Sequence, residues 1–311
     1  MREFRDRVVA EVRKVVVGQE YAVDVLLAAT AVGGHVLLEG VPGTAKTLLA
    51  NAYSRALGLE FRRVQFTPDM LPSDVTGTMT LRGATNELSF RPGPVFTNLL
   101  LADEINRTPP KTQAALLEAM QERQVTIDGT PRALPEPFLV VATQNPIEYE
   151  GTYPLPEAQL DRFFAKVDIG YPSADDEARL LRLAHHGVSP ATLDLVQQVT
   201  DARELSDLRD RVDAIQATDE VIDYVAAVIR CTRDQPSVLL GASPRAGVHL
   251  LAATRAAACL AGRTFVTPDD VRAVAPAVLS HRLLLRPEAE LERFTTVDAV
   301  RNVLSAVPVP R

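Results

Sequence analysis

Residues 35–47, HVLLEGVPGTAKT, place a short apolar strand directly before a glycine loop that ends in Lys46 and Thr47, and an amphipathic helix, TLLANAYSRALG, follows. A strand, loop and helix in this order form a phosphate-binding turn. Loop N–H groups point into the concavity, and the helix N-terminus adds its partial positive charge. Lys46 would reach the β- and γ-phosphates, and the Thr47 hydroxyl would coordinate Mg²⁺. The candidate phosphate contacts are Gly40, Val41, Pro42 and Gly43 on the way into the turn, and Thr44, Ala45, Lys46, Thr47 and Leu48 on the way out. Ala45 stands where the G-x-x-x-x-G-K-[ST] pattern has its second glycine. Alanine still supplies an N–H, so the cradle is expected to survive if φ is negative there.

A phosphoryl-transfer site also needs an apolar strand ending in carboxylates, and residues 98–104, NLLLADE, supply one. Asp103 is suited to hold Mg²⁺ through a coordinated water, and Glu104 to orient and polarise the attacking water. By itself such a pair could equally mark a solvated turn. A further buried-strand pattern, PFLVVATQN, ends in Asn145. Its amide could bond the γ-phosphate or the water, although Asn145-Pro146 is also a good turn signal. Arg162 lies in YPLPEAQLDRFF, which reads as a helix started by Pro156. Downstream, Ser243 is a plausible N-cap and Pro244 fits the first helical position of a long helix running through Leu260. Arg245 falls in its first turn, where a cation opposes the macrodipole and needs an anionic partner. A nucleotide phosphate is one such partner. For either arginine a surface ion pair is the alternative.

Strand-like runs near 35–39, 61–66, 98–102, 138–143 and 164–169 alternate with helical patterns, which predicts a parallel five-stranded sheet covered on both faces. Residues 1–32 read as helical. Residues 72–92 read as paired short strands or a small excursion, and Asp128-Gly129 within 123–134 signals a hairpin. Beyond Tyr171-Pro172 the segments read as amphipathic helices. The expected organisation is an α/β nucleotide-binding core over 1–172 and an all-α domain over 175–311, closed by a frayed PVPVPR tail. A length of 311 residues predicts two domains, and 46% hydrophobic residues is ample for a packed core. The net charge of −7, without a dense Lys/Arg cluster, gives no general footprint for nucleic acid. Cys231 and Cys259 are expected to be reduced core residues, and the five histidines, His185-His186 included, lack metal-ligand spacing. No segment resembles a signal peptide or is long enough to span a bilayer, so the expected location is cytoplasmic.

Taken jointly, GVPGTAKT at 40–47, DEINR at 103–107, PPKTQAALLEAMQE at 109–122, ATQNP at 142–146 and LPEAQLDRF at 155–163 resemble the MoxR family of AAA+ ATPases, over about residues 11–285. Ala45 is usual in that family. The resemblance implies a P-loop core with a helical lid, ATP and Mg²⁺ as cofactors, and a homo-oligomeric ring, usually hexameric. It implies that Val17 and Gly18 line the adenine pocket and that Asn145 is the first sensor. Arg162 would be the finger reaching the neighbouring subunit's nucleotide, and Arg245 the second sensor in the lid. Both inserts would lie on one face of the ring, and the expected partner carries a von Willebrand factor type A domain. Three functions remain open at this stage. The first is a remodelling or chaperone-like ATPase that assists maturation or assembly of a partner. The second is a nucleic-acid motor, disfavoured because the 72–92 insert carries only Arg82 and Arg91 against Asp74 and Glu87. The third is the ATPase subunit of a metal-chelatase-type complex, which the sequence does not separate from the first.

Overall fold

A computed structural model describes residues 1–82, 87–146, 151–185 and 190–310. Two helices, α1 (Arg2–Val12) and α2 (Glu20–Val32), lead into β1 (Val36–Glu39), α3 (Lys46–Ala56) and β2 (Phe61–Gln65). Then come α4 (Pro72–Thr76), β3 (Gly77–Arg82), β4 (Glu87–Pro92), β5 (Leu99–Asp103), α5 (Pro110–Glu122), β6 (Gln124–Ile127), β7 (Thr130–Ala133), β8 (Leu139–Gln144), α6 (Glu157–Leu160) and β9 (Ala165–Asp168). The five long-range strands pair in parallel in the order β2-β5-β8-β1-β9, matching the five expected runs.

Apolar residues without alternation build these strands because both sheet faces are covered. Leu37, Leu100, Ala102, Val140 and Ala142 point to the side where α5 packs Leu116, Leu117 and Met120. Their sequence neighbours Val36, Leu38, Leu99, Leu101, Leu139 and Val141 point the other way, into a second core shared by α1 to α3 and the C-terminal helices. The two-residue period of a strand divides one leucine run between two cores.

The two inserts are hairpins. Asp128 (φ 48°) and Gly129 (φ 73°) turn β6 into β7, as their sequence predicts. The 72–92 insert opens with the short helix α4 before β3 and β4 pair antiparallel, and its turn at 83–86 lies outside the described residues. Arg132 of β7 stacks over the Phe90 ring of β4 at 4.1 Å, joining the two hairpins. The N-terminal segment departs from a continuous helix. Residues 13–19 separate α1 from α2, and Gly18 takes φ 75°, which a helix excludes.

Beyond β9 the chain is helical: α7 (Ala174–His185), α8 (Ala202–Asp213), α9 (Asp219–Arg233), then β10 (Val238–Leu240), α10 (Pro244–Leu260), α11 (Pro268–Leu279), β11 (Leu284–Leu285), α12 (Pro287–Leu291) and α13 (Thr296–Ala306). The short antiparallel ribbon of β10 and β11 is an addition to the expected helices. Ser243 caps α10 by accepting from the Ala246 N–H at 3.2 Å, with Pro244 in the first turn, as its sequence predicts. Cys259 is buried and Cys231 half-buried, and both are free thiols. His186 and Arg311 lie outside the described residues. Among the described residues no helix is long and apolar enough to cross a membrane.

Candidate nucleotide site at the carboxyl end of the sheet

The carboxyl ends of β1, β5 and β8 meet where strand order reverses, the position at which open α/β sheets bind ligands. A cleft of about 500 Å³ opens there. It is lined by Pro42 to Leu48 and Asn51 from the loop and α3, by Asp103, the last residue of β5, and Glu104 after it, and by Thr143, Gln144 and Asn145 at the end of β8. Of the predicted residues it therefore gathers Pro42, Gly43, Thr44, Ala45, Lys46, Thr47, Leu48, Asp103, Glu104 and Asn145. Gly40 and Val41 sit just behind, as the carbonyls that accept from the Lys46 ammonium at 2.8 Å each. A Cβ on Gly40 would lie 2.4 Å from the Ile169 carbonyl oxygen, so only glycine lets the chain pass. At Gly43 (φ 85°) a side chain would meet nothing within 4 Å. The loop there is open, as backbone cradling of a phosphate requires.

Ala45 does not keep the negative φ its sequence reading assumed. It takes φ 63° and ψ 22°, immediately before α3. The loop needs a left-handed residue there so that its amides can turn inward, and the left-handed conformation costs an alanine about 1–2 kcal/mol. Partial burial pushes the Lys46 pKa down, against the raising pull of Asp103 and Glu104.

Asp103 is the best-held carboxylate of the cleft. Its Oδ1 accepts from the Thr143 hydroxyl at 2.5 Å. Its Oδ2 accepts from Arg63 Nε at 3.0 Å and Nη2 at 2.7 Å, and lies 3.5 Å from the Thr47 hydroxyl. Glu104 is left-handed (φ 56°, ψ 50°), which turns its side chain away from the line of β5. Its backbone N–H donates to Thr143 Oγ1 at 2.9 Å, and its Oε2 accepts from Gln65 Nε2 at 2.6 Å and from Arg107 Nη1 at 2.9 Å. Hydroxyl and carboxylate oxygens close together suit a hard cation that keeps waters and phosphate oxygens in its shell. No group of three His, Cys, Asp or Glu among the described residues could hold a metal alone.

The chain matches the family described as ATPase family associated with various cellular activities (AAA) over residues 35–165, and an AAA lid domain over 230–303. It is 47% identical to the uncharacterized protein YeaC of Bacillus subtilis, covering 98% of this chain and 94% of that one. It is 43% identical to Chaperone MoxR1 of Mycobacterium tuberculosis, covering 98% and 82%. This chain belongs to the MoxR family of AAA+ ATPases. A crystal structure from Cytophaga hutchinsonii, described as that of a candidate ATPase, superposes with a TM-score of 0.90 at 40% identity, covering 99% and 96%. The MoxR-type chain is thus an ATPase with an α/β core, a five-stranded parallel sheet and a helical lid region.

Besides Gly40 and Val41, four predicted residues do not line the cleft. Val17 is buried, and Gly18 faces the start of α7, where a Cβ would lie 2.8 Å from Asp176 Oδ2. Arg162 lies in the turn after α6, since that helix ends at Leu160 and does not reach it. Arg245 lies 4.0 Å from Asp161, beside Arg162 in the chain. Sequence reasoning missed Arg63, Gln65, Thr143 and Arg107. The sequence FRRVQ held a signal for two of them. Polar residues at 63 and 65, two apart on one strand, share a face, and Gln65 pairs in register with Asp103.

Proposed function

We propose that the chain binds Mg·ATP in this cleft and hydrolyses it as a subunit of a ring, most simply a hexamer, that remodels a partner protein during its maturation or assembly. The observation carrying the reading is the convergence of Thr47 and Asp103 oxygens at 3.5 Å beside Lys46 and Glu104. Loop N–H groups from Gly40 to Leu48, Pro42 excepted, would wrap the phosphates. Lys46 would leave its own loop carbonyls for the β- and γ-phosphates, and Thr47 and Asp103 would hold Mg²⁺, which supplies charge neutralisation at the transferring group. Glu104 would take the proton of the attacking water, Asn145 would sense the γ-phosphate, and Val17 with Gly18 would border the adenine.

Arg162 lies outside the subunit's own cleft, which supports its acting as a finger on the nucleotide of a neighbour, and Arg245, 4.0 Å from Asp161, would be the second sensor of the lid. We read 1–172 as the core and 175–311 as the lid. A von Willebrand factor type A domain protein is the proposed partner, and the cytoplasm the proposed location. The relative named as a chaperone supports the remodelling role.

The test is subunit mixing. Arg162→Ala protein should bind ATP yet turn over about 10³-fold more slowly, the usual scale for an arginine finger. Adding Lys46→Ala protein, with a dead site and an intact finger, should recover turnover. A protein that stays monomeric with ATP by light scattering, at a turnover independent of concentration, would rule the ring out.

A further inference from the structure

Resting on the reading of Arg162 as a trans-acting finger, we propose that Arg282 is its positioning residue, a buried guanidinium that clamps the backbone on both sides of Arg162 and ties it, through Asp161, to the start of α10.

Arg162 has no rigid element of its own. It lies in the irregular stretch between α6 and β9, and among the described residues its guanidinium forms no ion pair. Its backbone is held from outside. The Arg282 side chain is 1% exposed, and its Nε donates to Asp161 Oδ1 at 2.9 Å. Its Nη2 donates to the carbonyls of Asp161, at 3.3 Å, and Phe163, and its Nη1 to those of Phe164, at 3.3 Å, and Val278. His249 Nδ1 accepts from Nη2 at 2.6 Å. Every N–H of the fork is therefore used, three of its acceptors being carbonyls of residues 161, 163 and 164. Burial lowers the Arg282 pKa to about 10, against the opposing pull of Asp161, and leaves it charged at neutral pH.

A buried ion pair of this kind adds little stability over an apolar replacement, because desolvation offsets most of the attraction. What it supplies is a fixed geometry. The same Asp161 carboxylate accepts from Ser243 Oγ at 3.0 Å to each oxygen, and Ser243 caps α10. Arg245, in the first turn of α10, lies 4.0 Å from it. One carboxylate thus links the finger segment, the α10 cap and the segment after α11. A shift of the lid helices would move Arg162 and Arg245 together.

The experiment compares Arg282→Met and Asp161→Asn in mixing assays, with binding of a fluorescent ATP analogue and the thermal melt measured in parallel. Asp161→Asn keeps an acceptor for Ser243 and serves if Arg282→Met does not fold. Either variant should bind the analogue within about twofold of wild type. Turnover should fall about 10²-fold, part of the loss expected for the finger itself. Mixing with Lys46→Ala should restore turnover, because intact fingers are then presented to live sites. Mixing with Arg162→Ala should not. If the Lys46→Ala and Arg162→Ala pair recovers activity while the Arg282 and Asp161 variants stay inactive beside Lys46→Ala, these residues serve their own site and the inference is overturned. If the control pair itself fails to recover, the trans finger is wrong and the inference falls with it.

Discussion

On the proposed reading that Thr47 and Asp103 hold Mg²⁺, Arg63 occupies the side of Asp103 that the ion would need, so removing it should tighten divalent-cation binding. Both of its donors fall on Oδ2, the oxygen 3.5 Å from the Thr47 hydroxyl, at 3.0 and 2.7 Å. The Arg63 side chain is 48% exposed and that of Asp103 11%. An exposed pair contributes up to about 1 kcal/mol, and a hydrogen bond to a charged group about 1.5–3, so a half-exposed pair falls near 1 kcal/mol. That corresponds to about fivefold in affinity. Removing a cation beside the metal acts in the same direction. Asp103 should hold its orientation without Arg63, because Thr143 still donates to Oδ1. The assay is Mn²⁺ titration by electron paramagnetic resonance at saturating ADP, with Arg63→Ala against wild type, and a Mg²⁺ activation curve alongside. Mn²⁺ affinity should rise about fivefold and the activation curve shift to lower Mg²⁺. An unchanged or weaker Mn²⁺ affinity would show that Arg63 supports the metal site and does not compete for it.

Ala45→Gly relieves a left-handed alanine but loosens the unfolded chain, and the balance should raise stability by about 0.5–1 kcal/mol in the denaturant midpoint. A lower midpoint would mean that the Ala45 methyl packs usefully. Glu104→Gln should leave nucleotide binding intact while turnover falls by about 10² or more, and wild-type turnover would remove Glu104 as the base. His35 is fully buried, donating from Nε2 to the Met120 carbonyl and accepting the Val140 N–H on Nδ1, both at 3.0 Å. Burial pushes its pKa down to about 4. The folded state therefore resists protonation, and the stability His35 contributes is full above its unfolded pKa near 6.5. It should fall by about 2 kcal/mol between pH 7.5 and 5, and His35→Gln should flatten urea-derived stability over that range by about one proton. An unaltered slope would show that His35 does not carry this dependence.

The sequence by itself determined the parts of this protein that depend on near neighbours. Leucine and valine runs buried on both faces become parallel strands, the glycine loop before Lys46 becomes a phosphate turn, and Asp128-Gly129 becomes a hairpin. Ser243-Pro244 starts α10 because capping is local chemistry. The carboxylates after β5 could be assigned to the cleft because strand ends are where such a sheet binds ligands. Tertiary structure decided what depends on residues far apart in the chain. The spacing within FRRVQ puts Arg63 and Gln65 on one strand face, but only the β2-β5-β8-β1-β9 order brings them to Asp103 and Glu104. Ala45 goes left-handed because the amides must converge, against its own preference. His35, a lone histidine before a strand, bridges two backbone groups about a hundred residues downstream. Arg282, at 1% side-chain exposure, closes on Asp161 across the fold. A buried charge is tolerated only where the whole chain surrounds it with partners, and those partners exist only once the core and the helical region have packed together.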